Sequence, residues 1–200
     1  MLWVCYDKCM AIRKIARMGH PCLRASNREL TPQEIRSPEI QALIVDMVDT
    51  MEEYEGIGLA APQIHENIQL ALVHLEDDNE RYPGHEGAGL GVYINPKMTV
   101  LDATEQGFWE GCLSVPEIRG LVYRPRKIQI DYLDQTGKSK SITAEGFLAT
   151  VFQHELDHLG ATLFIDRIRY VPGSSPIAFI QEYQRFLAPH PESDVGELDD

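Results

Sequence analysis

Hydrophobic positions recur at helical spacing in residues 37–56 and predict the first long helix of the chain. The apolar residues stand three or four positions apart and therefore share one face: Ile40, Leu43, Ile44, Met47, Val48 and Met51. Ser37 can cap the N-terminus of this helix, Pro38 suits its first position, and Gly56 is expected to end it. The pattern predicts a helix with one face in the core.

Alternating and continuous apolar runs predict strands in the middle of the chain. The segments IQLALVHLE (68–76) and GVYINPKMTVL (91–101) favour strands, and the polar, Gly-rich segment 77–91 between them favours a loop. Residues 121–146 predict a hairpin, because apolar residues alternate in KIQIDYL and a turn is favoured at residues 134–137.

A second long helix is predicted over residues 146–160, in GFLATVFQHELDHLG. Residues 175–187 favour a short amphipathic helix, and residues 188–200 form an acidic tail. Strands and helices do not alternate as they do in a doubly wound protein. We therefore expect the α+β class.

The formal net charge of −13 argues against a nucleic-acid duplex or an anionic membrane as the main partner. No apolar run approaches the length of about 20 residues that crosses a bilayer. The four cysteines show no disulfide-framework spacing, and we recognise no secretory signal, so a cytoplasmic, reducing compartment is expected. The basic opening of the chain leaves an organellar presequence as the alternative.

The second helix contains the pattern His-Glu-x-x-His. His154 and His158 lie one turn apart, so both imidazoles can bind the same metal ion. Glu155 projects into the apolar arc of the helix, where burial should raise its pKa toward neutrality. That arc is formed by the apolar residues of the segment: Leu148, Val151, Phe152, Leu156 and Leu159. A metal site explains a carboxylate in this position better than an ordinary surface helix does.

Three sources of a further ligand can be compared. The long metzincin pattern is absent, because Ala161 and Phe164 stand where it requires Gly and His. Glu182 could serve as it does in gluzincins, and Cys5 with Cys9 could complete a closed structural site. We favour Cys112, since it stands beside a glycine and three protein ligands leave a fourth position open for catalysis.

Three segments together carry a resemblance to a known family. GIGLAAPQ (56–63), EGCLS (110–114) and QHELDH (153–158) resemble, in order and spacing, the signature motifs of peptide deformylases. The likeness spans residues 10–168. It implies a compact α+β fold with antiparallel or mixed sheets around a central metal-binding helix. It also implies a metal-dependent hydrolase that removes the N-terminal formyl group from formyl-methionyl nascent polypeptides.

The resemblance implies a role for each matched residue. Cys112, His154 and His158 would bind one divalent ion, most consistently Fe²⁺, with Zn²⁺, Ni²⁺ or Co²⁺ as substitutes. A metal-bound water would attack the formyl carbon, with Glu155 as general base and then general acid. Two donors would stabilise the oxyanion: the Gln63 side-chain amide and the Leu113 backbone N–H. The expected substrate-binding residues are Gly56, Ile57, Gly58, Glu110, Arg119 and Val151.

Other expectations follow from charge and from departures from the family pattern. Arg124 is expected to pair with Asp157 and steady the ligand helix. Residues 1–9 are expected to be an N-terminal extension, residues 10–170 the catalytic domain, and residues 171–200 a C-terminal segment. The long loop 77–91 is a candidate lid, and Gly160 precedes Ala161 where a glycine is customary. The expected oligomeric state is a monomer or homodimer. If the protein contacts the ribosome transiently, that contact is not expected to use a basic C-terminal tail.

Overall fold

The computed structural model describes residues 11–75, 88–170 and 175–184 of the chain. Its helices are α1 (Pro32–Ile35), α2 (Pro38–Glu53), α3 (Gly146–Leu159) and α4 (Ile180–Glu182). Its strands are β1 (Gly58–Ala60), β2 (Leu70–Leu75), β3 (Gly89–Cys112), β4 (Val115–Leu133), β5 (Ser139–Glu145) and β6 (Ile177–Phe179). Short 3-10 helices cover Pro21–Arg24, Ala61–Ile64 and Phe164–Arg167. The predicted α+β class is confirmed.

Helix α2 begins where its sequence predicts. The Ser37 side chain accepts a hydrogen bond from the backbone N–H of Ile40 at 3.4 Å, and Pro38 occupies the first turn. The predicted apolar face is buried at Leu43, Ile44, Met47 and Met51. The helix ends at Glu53, two residues before Glu55 takes a left-handed backbone conformation with φ 51°.

The strands of the described residues form one antiparallel sheet in the order β1-β2-β3-β4-β5, with β6 paired to β4. The predicted hairpin is present as β4 and β5, and the N–H of Gly137 closes its turn onto the carbonyl of Asp134 at 2.8 Å. Strands β3 and β4 form a longer hairpin, which four register irregularities bend along its length. Its tight end, between Cys112 and Val115, was not predicted as a strand turn.

Helix α3 packs against β1, β2 and β4. Its face toward the sheet contributes Phe147, Leu148, Val151 and Phe152 to a hydrophobic cluster shared with β2, β3 and β4. A second cluster joins the apolar face of α2 to β1 and β2. Helix α3 is therefore enclosed on several sides, which restricts the movement of the side chains that it carries.

Near the C-terminus, the structure differs from the prediction. The short helix predicted over residues 175–187 covers only Ile180–Glu182, and the residues before it form β6. That strand pairs with the open edge of β4 at residues 118–120, so pairing of the backbone overrides the amphipathic pattern.

The candidate lid 77–91 lies outside the described residues except for 88–91, and residues 1–9 lie outside them as well. Across the described residues, no helix is both long and apolar enough to traverse a bilayer.

Candidate metal centre and active site

Two distant segments bring three metal-ligating side chains together. Cys112 comes from the end of β3, while His154 and His158 come from one face of α3. Their candidate donor atoms all lie within 4.8 Å of one another, and Cys112 Sγ is 3.3 Å from His158 Nε2. The two imidazole rings are 5.1 Å apart at an interplanar angle of 75°. This is a convergent Cys-His-His donor set.

The tight β3–β4 hairpin places the Cys112 sulfur. The backbone N–H of Ser114 donates to Sγ at 3.4 Å, and the Gln63 amide donates to it at 3.5 Å. Burial alone would raise the pKa of the Cys112 thiol, but the charge of His158 and a hydrogen bond with His154 lower it well below its usual value. The surroundings therefore favour the thiolate, which is the form that binds metals.

A buried ionic chain holds His154 in place. Nδ1 of His154 lies 2.8 Å from Glu110 Oε2, which directs the other ring nitrogen of His154 toward the donor cluster. Arg124 donates to both oxygens of Glu110, at 2.6 and 2.9 Å, and to Asp157 at 2.8 Å. The expected Arg124–Asp157 pair is thus confirmed, and Arg167 also contacts Asp157. The bidentate contact between Arg124 and Glu110 was not predicted from the sequence.

Glu155 points into the apolar interior, as the helical pattern predicts. The residue is 5% exposed, and burial raises the pKa of Glu155 to about 7. Its Oε2 atom has no hydrogen-bond partner among the described residues. The Gly58 backbone lies so close that a β-carbon there would be 2.7 Å from the Glu155 carboxyl carbon. A carboxyl group in this environment can exchange a proton near neutral pH.

Gln63 and Leu113 both lie beside the donor cluster. Gln63 is buried, and its side-chain carbonyl accepts from the Ala60 N–H at 2.8 Å, so the amide NH₂ faces Cys112 and Ser114. Arg17 donates a hydrogen bond to the carbonyl oxygen of Leu113. This contact was not found from the sequence, because Arg17 stands 96 residues away with no motif around it.

A cleft of about 360 Å³ opens over the donor cluster. Every residue expected to bind substrate lines its wall: Gly56, Ile57, Gly58, Glu110, Arg119 and Val151. Phe147, Ile118 and Ile180 add apolar surface that the sequence had not indicated. The cleft can therefore hold an apolar side chain while an acyl group reaches the cluster.

The rival ligands can be compared with this arrangement. Within the described residues, the donor group around His154 and His158 contains Cys112, and Glu182 is not part of it. Glu182 is an exposed residue of α4. Cys5 and Cys9 lie outside the described residues. The gluzincin arrangement is therefore not formed.

Comparisons with known proteins agree with this geometry. The sequence model of the polypeptide deformylase family matches residues 12–171. The chain is 44% identical over 160 residues to a peptide deformylase of Leptospira biflexa, covering 80% of this chain and 89% of that protein. It is 41% identical over 157 residues to peptide deformylase 1 of Nitrosomonas europaea, covering 78% and 88%.

A solved structure gives the same result for the fold. The chain is similar to the Met-Ala-Ser-bound crystal structure of a class I type b peptide deformylase from Acinetobacter baumannii. The TM-score is 0.76 at 32% identity, covering 80% of this chain and 99% of that one. The convergent donor set, the family match over most of the chain and the shared fold lead to one conclusion: this chain belongs to the peptide deformylase family.

Proposed function

We propose that Cys112, His154 and His158 bind a single divalent metal ion and that Glu155 transfers the proton during deformylation. The observation that carries this proposal is the meeting of three donor atoms within 4.8 Å, from segments 42 or more residues apart, beside a buried carboxyl group. As a member of its family, the chain is a metal-dependent hydrolase that removes the N-terminal formyl group from nascent polypeptides.

The residues present fit a bound metal ion. One sulfur and two imidazole donors suit borderline ions such as Fe²⁺, Co²⁺, Ni²⁺ and Zn²⁺. Three protein donors also leave a coordination position of a four-coordinate ion for a reactant. We assign Fe²⁺ as the resident ion, on the basis of the family, with the other three as substitutes. A divalent ion here would polarise the formyl oxygen and lower the pKa of a water molecule in the cleft.

Glu155 is the proton carrier in the proposed mechanism. Its pKa of about 7 allows it to accept a proton from the attacking water and to return one to the departing amine. Water adds to the formyl carbon, the carbon–nitrogen bond breaks, and the products are formate and a free N-terminal amine. Glu155 is only 5% exposed, so little of it contacts bulk solvent.

The Gln63 amide and the Leu113 backbone N–H are proposed as the oxyanion donors. The orientation of Gln63 supports its part, because its carbonyl is held by Ala60 and its NH₂ group faces the cluster. Arg17 holds the Leu113 carbonyl and so restricts the same peptide segment. Removal of one such donor typically lowers the rate by about 10²- to 10³-fold.

Substrate binding is proposed along Gly56, Ile57 and Gly58, which lie on one side of the cleft. Val151 and Arg119, which line the same cleft, are assigned to the methionine site and its approach. Glu110 has both carboxylate oxygens engaged by Arg124 and His154. We therefore assign Glu110 to positioning of His154, although it also lines the cleft.

The proposed setting is the bacterial cytoplasm, with an organelle as the second candidate. The partners are formyl-Met nascent chains, and the chain acts as a monomer or homodimer. A transient contact with the ribosome, if made, would not use a basic C-terminal tail, because five of the last ten residues are acidic. Direct binding of nucleic acid or membrane is not proposed, given the net charge of −13.

The test is formate release from formyl-Met-Ala-Ser by protein purified anaerobically and loaded with Fe²⁺. Glu155→Ala should retain the ion and lose formate release, whereas Cys112→Ser should lose both ion and activity. A Glu182→Ala control should resemble the unaltered protein. Equal formate release by the unaltered protein and Glu155→Ala with each of the four ions would overturn the proposal.

A further inference from the structure

A second cluster of metal-ligating side chains lies on two short 3-10 helices. His20 precedes the helix Pro21–Arg24, Cys22 lies within it, and His65 follows the helix Ala61–Ile64. The donor atoms of these three residues lie within 4.8 Å of one another. Within the described part of the chain, none of the three belongs to the wall of the substrate cleft.

The distances between donor atoms in the cluster are close to the distances between the ligand atoms of a bound metal ion. Cys22 Sγ lies 3.6 Å from His65 Nδ1 and 2.9 Å from His20 Nδ1. In a tetrahedral zinc site with ordinary bond lengths, sulfur and nitrogen ligands are about 3.6 Å apart. The His65 distance already has this value. The exposed His20 ring needs to move outward by less than 1 Å.

The backbone around the cluster is held by hydrogen bonds between the two segments. The Asn67 side chain donates to the Cys22 carbonyl at 2.8 Å, and the Ala16 N–H donates to the Gln63 carbonyl at 2.7 Å. Cys22 itself is buried with its sulfur 3.4 Å from the Pro62 carbonyl. The sulfur is therefore a fixed donor at the floor of the cluster.

Apart from the approach of His20 Nδ1 to Cys22 Sγ at 2.9 Å, the donor atoms of the cluster have only long contacts among the described residues. Nδ1 of His20 accepts from the Cys22 backbone N–H at 3.3 Å, and the Cys22 thiol, with its single hydrogen, donates to the Pro62 carbonyl at 3.4 Å or to one imidazole nitrogen. The two rings meet edge to face with centroids 4.6 Å apart. A cation would replace these contacts and be bound by all three donor atoms at the same time.

We propose that His20, Cys22 and His65 form a second metal site, separate from the active site, for a borderline-soft divalent ion such as Zn²⁺. A thiolate with two imidazoles is a typical donor set for such ions, and hard ions such as Mg²⁺ prefer oxygen ligands. Because His20 and His65 are exposed, the ion reaches the site directly from solvent. The bound ion would connect residues 20–22 to the turn that carries Gln63.

The test measures Zn²⁺ bound per chain after chelator treatment, by mass spectrometry of the metal and by calorimetry. All proteins carry Cys5→Ser and Cys9→Ser, so that these two thiols do not contribute. The protein that carries only Cys5→Ser and Cys9→Ser, called the background protein, should bind two Zn²⁺ per chain. The background protein with Cys22→Ser added should bind one. His65→Asn should also bind one, and it keeps a residue type that tolerates the left-handed backbone at this position (φ 71°).

A matched variant separates this site from the active site. Cys112→Ser should bind one Zn²⁺, and Cys112→Ser combined with Cys22→Ser should bind none. If the background protein, Cys22→Ser and His65→Asn all contain the same amount of Zn²⁺, the proposal of a second metal site is wrong. The proposed active site would not be affected by that result. An anomalous difference map of Zn²⁺-soaked crystals of the unaltered protein gives an independent reading. It should show an ion at Cys22 Sγ, and no peak there would contradict the proposal.

Discussion

The backbone of Gly58 lies directly against the carboxylate of Glu155. A β-carbon at residue 58 would stand 2.7 Å from the carboxyl carbon and 2.8 Å from Cγ of Glu155. These atoms form the end of the Glu155 side chain, so any larger residue at position 58 must displace the carboxylate. The glycine of the first motif therefore restricts the position of Glu155, the proposed proton carrier in the third motif.

Gly58→Ala is expected to lower kcat because it moves Glu155 away from its position. A displacement of about 1 Å in a catalytic group typically costs about 100-fold in rate, so a decrease of roughly 10- to 100-fold is expected. Metal content should stay unchanged, since the three atoms nearest to a β-carbon at residue 58 all belong to Glu155 and not to a donor residue. Steady-state kinetics with formyl-Met-Ala-Ser, together with metal analysis, measures both quantities.

Gly160→Ala is the control, since its β-carbon would meet only ordinary contacts at 3.4 Å or more. Unchanged kcat in Gly58→Ala would contradict the assignment.

Arg124→Ala is expected to reduce the free energy of unfolding by about 3–5 kcal/mol, because it removes the guanidinium that contacts both oxygens of the buried Glu110 carboxylate. Arg124 is 2% exposed and contacts both Glu110 and Asp157. The exposed pair Arg169–Glu105 provides a matched control, and Arg169→Ala should cost at most about 1 kcal/mol. Urea unfolding of the metal-free proteins measures the difference. Similar costs for the two variants would show that burial of the Arg124 network does not matter.

The stability of the metal-free protein should depend on the ionisation of Glu110. Burial alone would raise the pKa of Glu110, but the charge and hydrogen bonds of Arg124, with His154, lower it to about 2. The folded pKa is thus below the unfolded value of about 4.3. Ionised Glu110 therefore stabilises the fold above about pH 4.3, and this contribution is lost as the pH falls toward 2.

The corresponding measurement compares Glu110→Gln with the unaltered protein across this pH window. The variant should be less stable at pH 6, and the difference should shrink as the pH falls from about 4.3 toward 2. Chemical unfolding at several pH values gives the two curves. A difference that stays constant with pH would mean that the Glu110 charge contributes nothing to stability.

Ala161→Gly is expected to stabilise the chain slightly. Ala161 follows α3 with φ 57°, a left-handed conformation that costs a residue with a β-carbon about 1–2 kcal/mol. Glycine relieves this cost but loses about 0.4–1 kcal/mol through the greater freedom of the unfolded chain. A net gain of up to about 1.6 kcal/mol should appear in thermal or urea unfolding. The control Ala149→Gly, inside α3, should instead destabilise by about 1 kcal/mol. Destabilisation by both variants would contradict this interpretation.

Local patterns predicted the two long helices, α2 and α3, and the candidate donor residues that α3 carries. The stripe of α2, its Ser37 cap and the burial of Glu155 on α3 all follow from spacing within one segment. The hairpin of β4 and β5 follows from alternation and turn residues in the same way. In each of these cases, the residues that decide the structure are close neighbours in the sequence.

Contacts between distant segments could not be predicted in this way. The second half of β3 is rich in acidic and glycine residues and carries bulges, so it lacks the alternation that marks a strand. The bidentate contact of Arg124 with Glu110, and the approach of His65 to Cys22, join residues with no shared motif. These features depend on the packing of the sheet, which a periodic pattern does not encode.

The most direct test of the account is an anomalous difference map, recorded at the iron edge, from crystals of anaerobically purified protein. The account predicts one Fe²⁺ ion within about 2.3 Å of Cys112 Sγ and about 2.1 Å of a ring nitrogen of both His154 and His158, by analogy with ordinary metal–sulfur and metal–imidazole bond lengths. An ion that is bound by the two histidines but lies beyond bonding distance of the sulfur would contradict it.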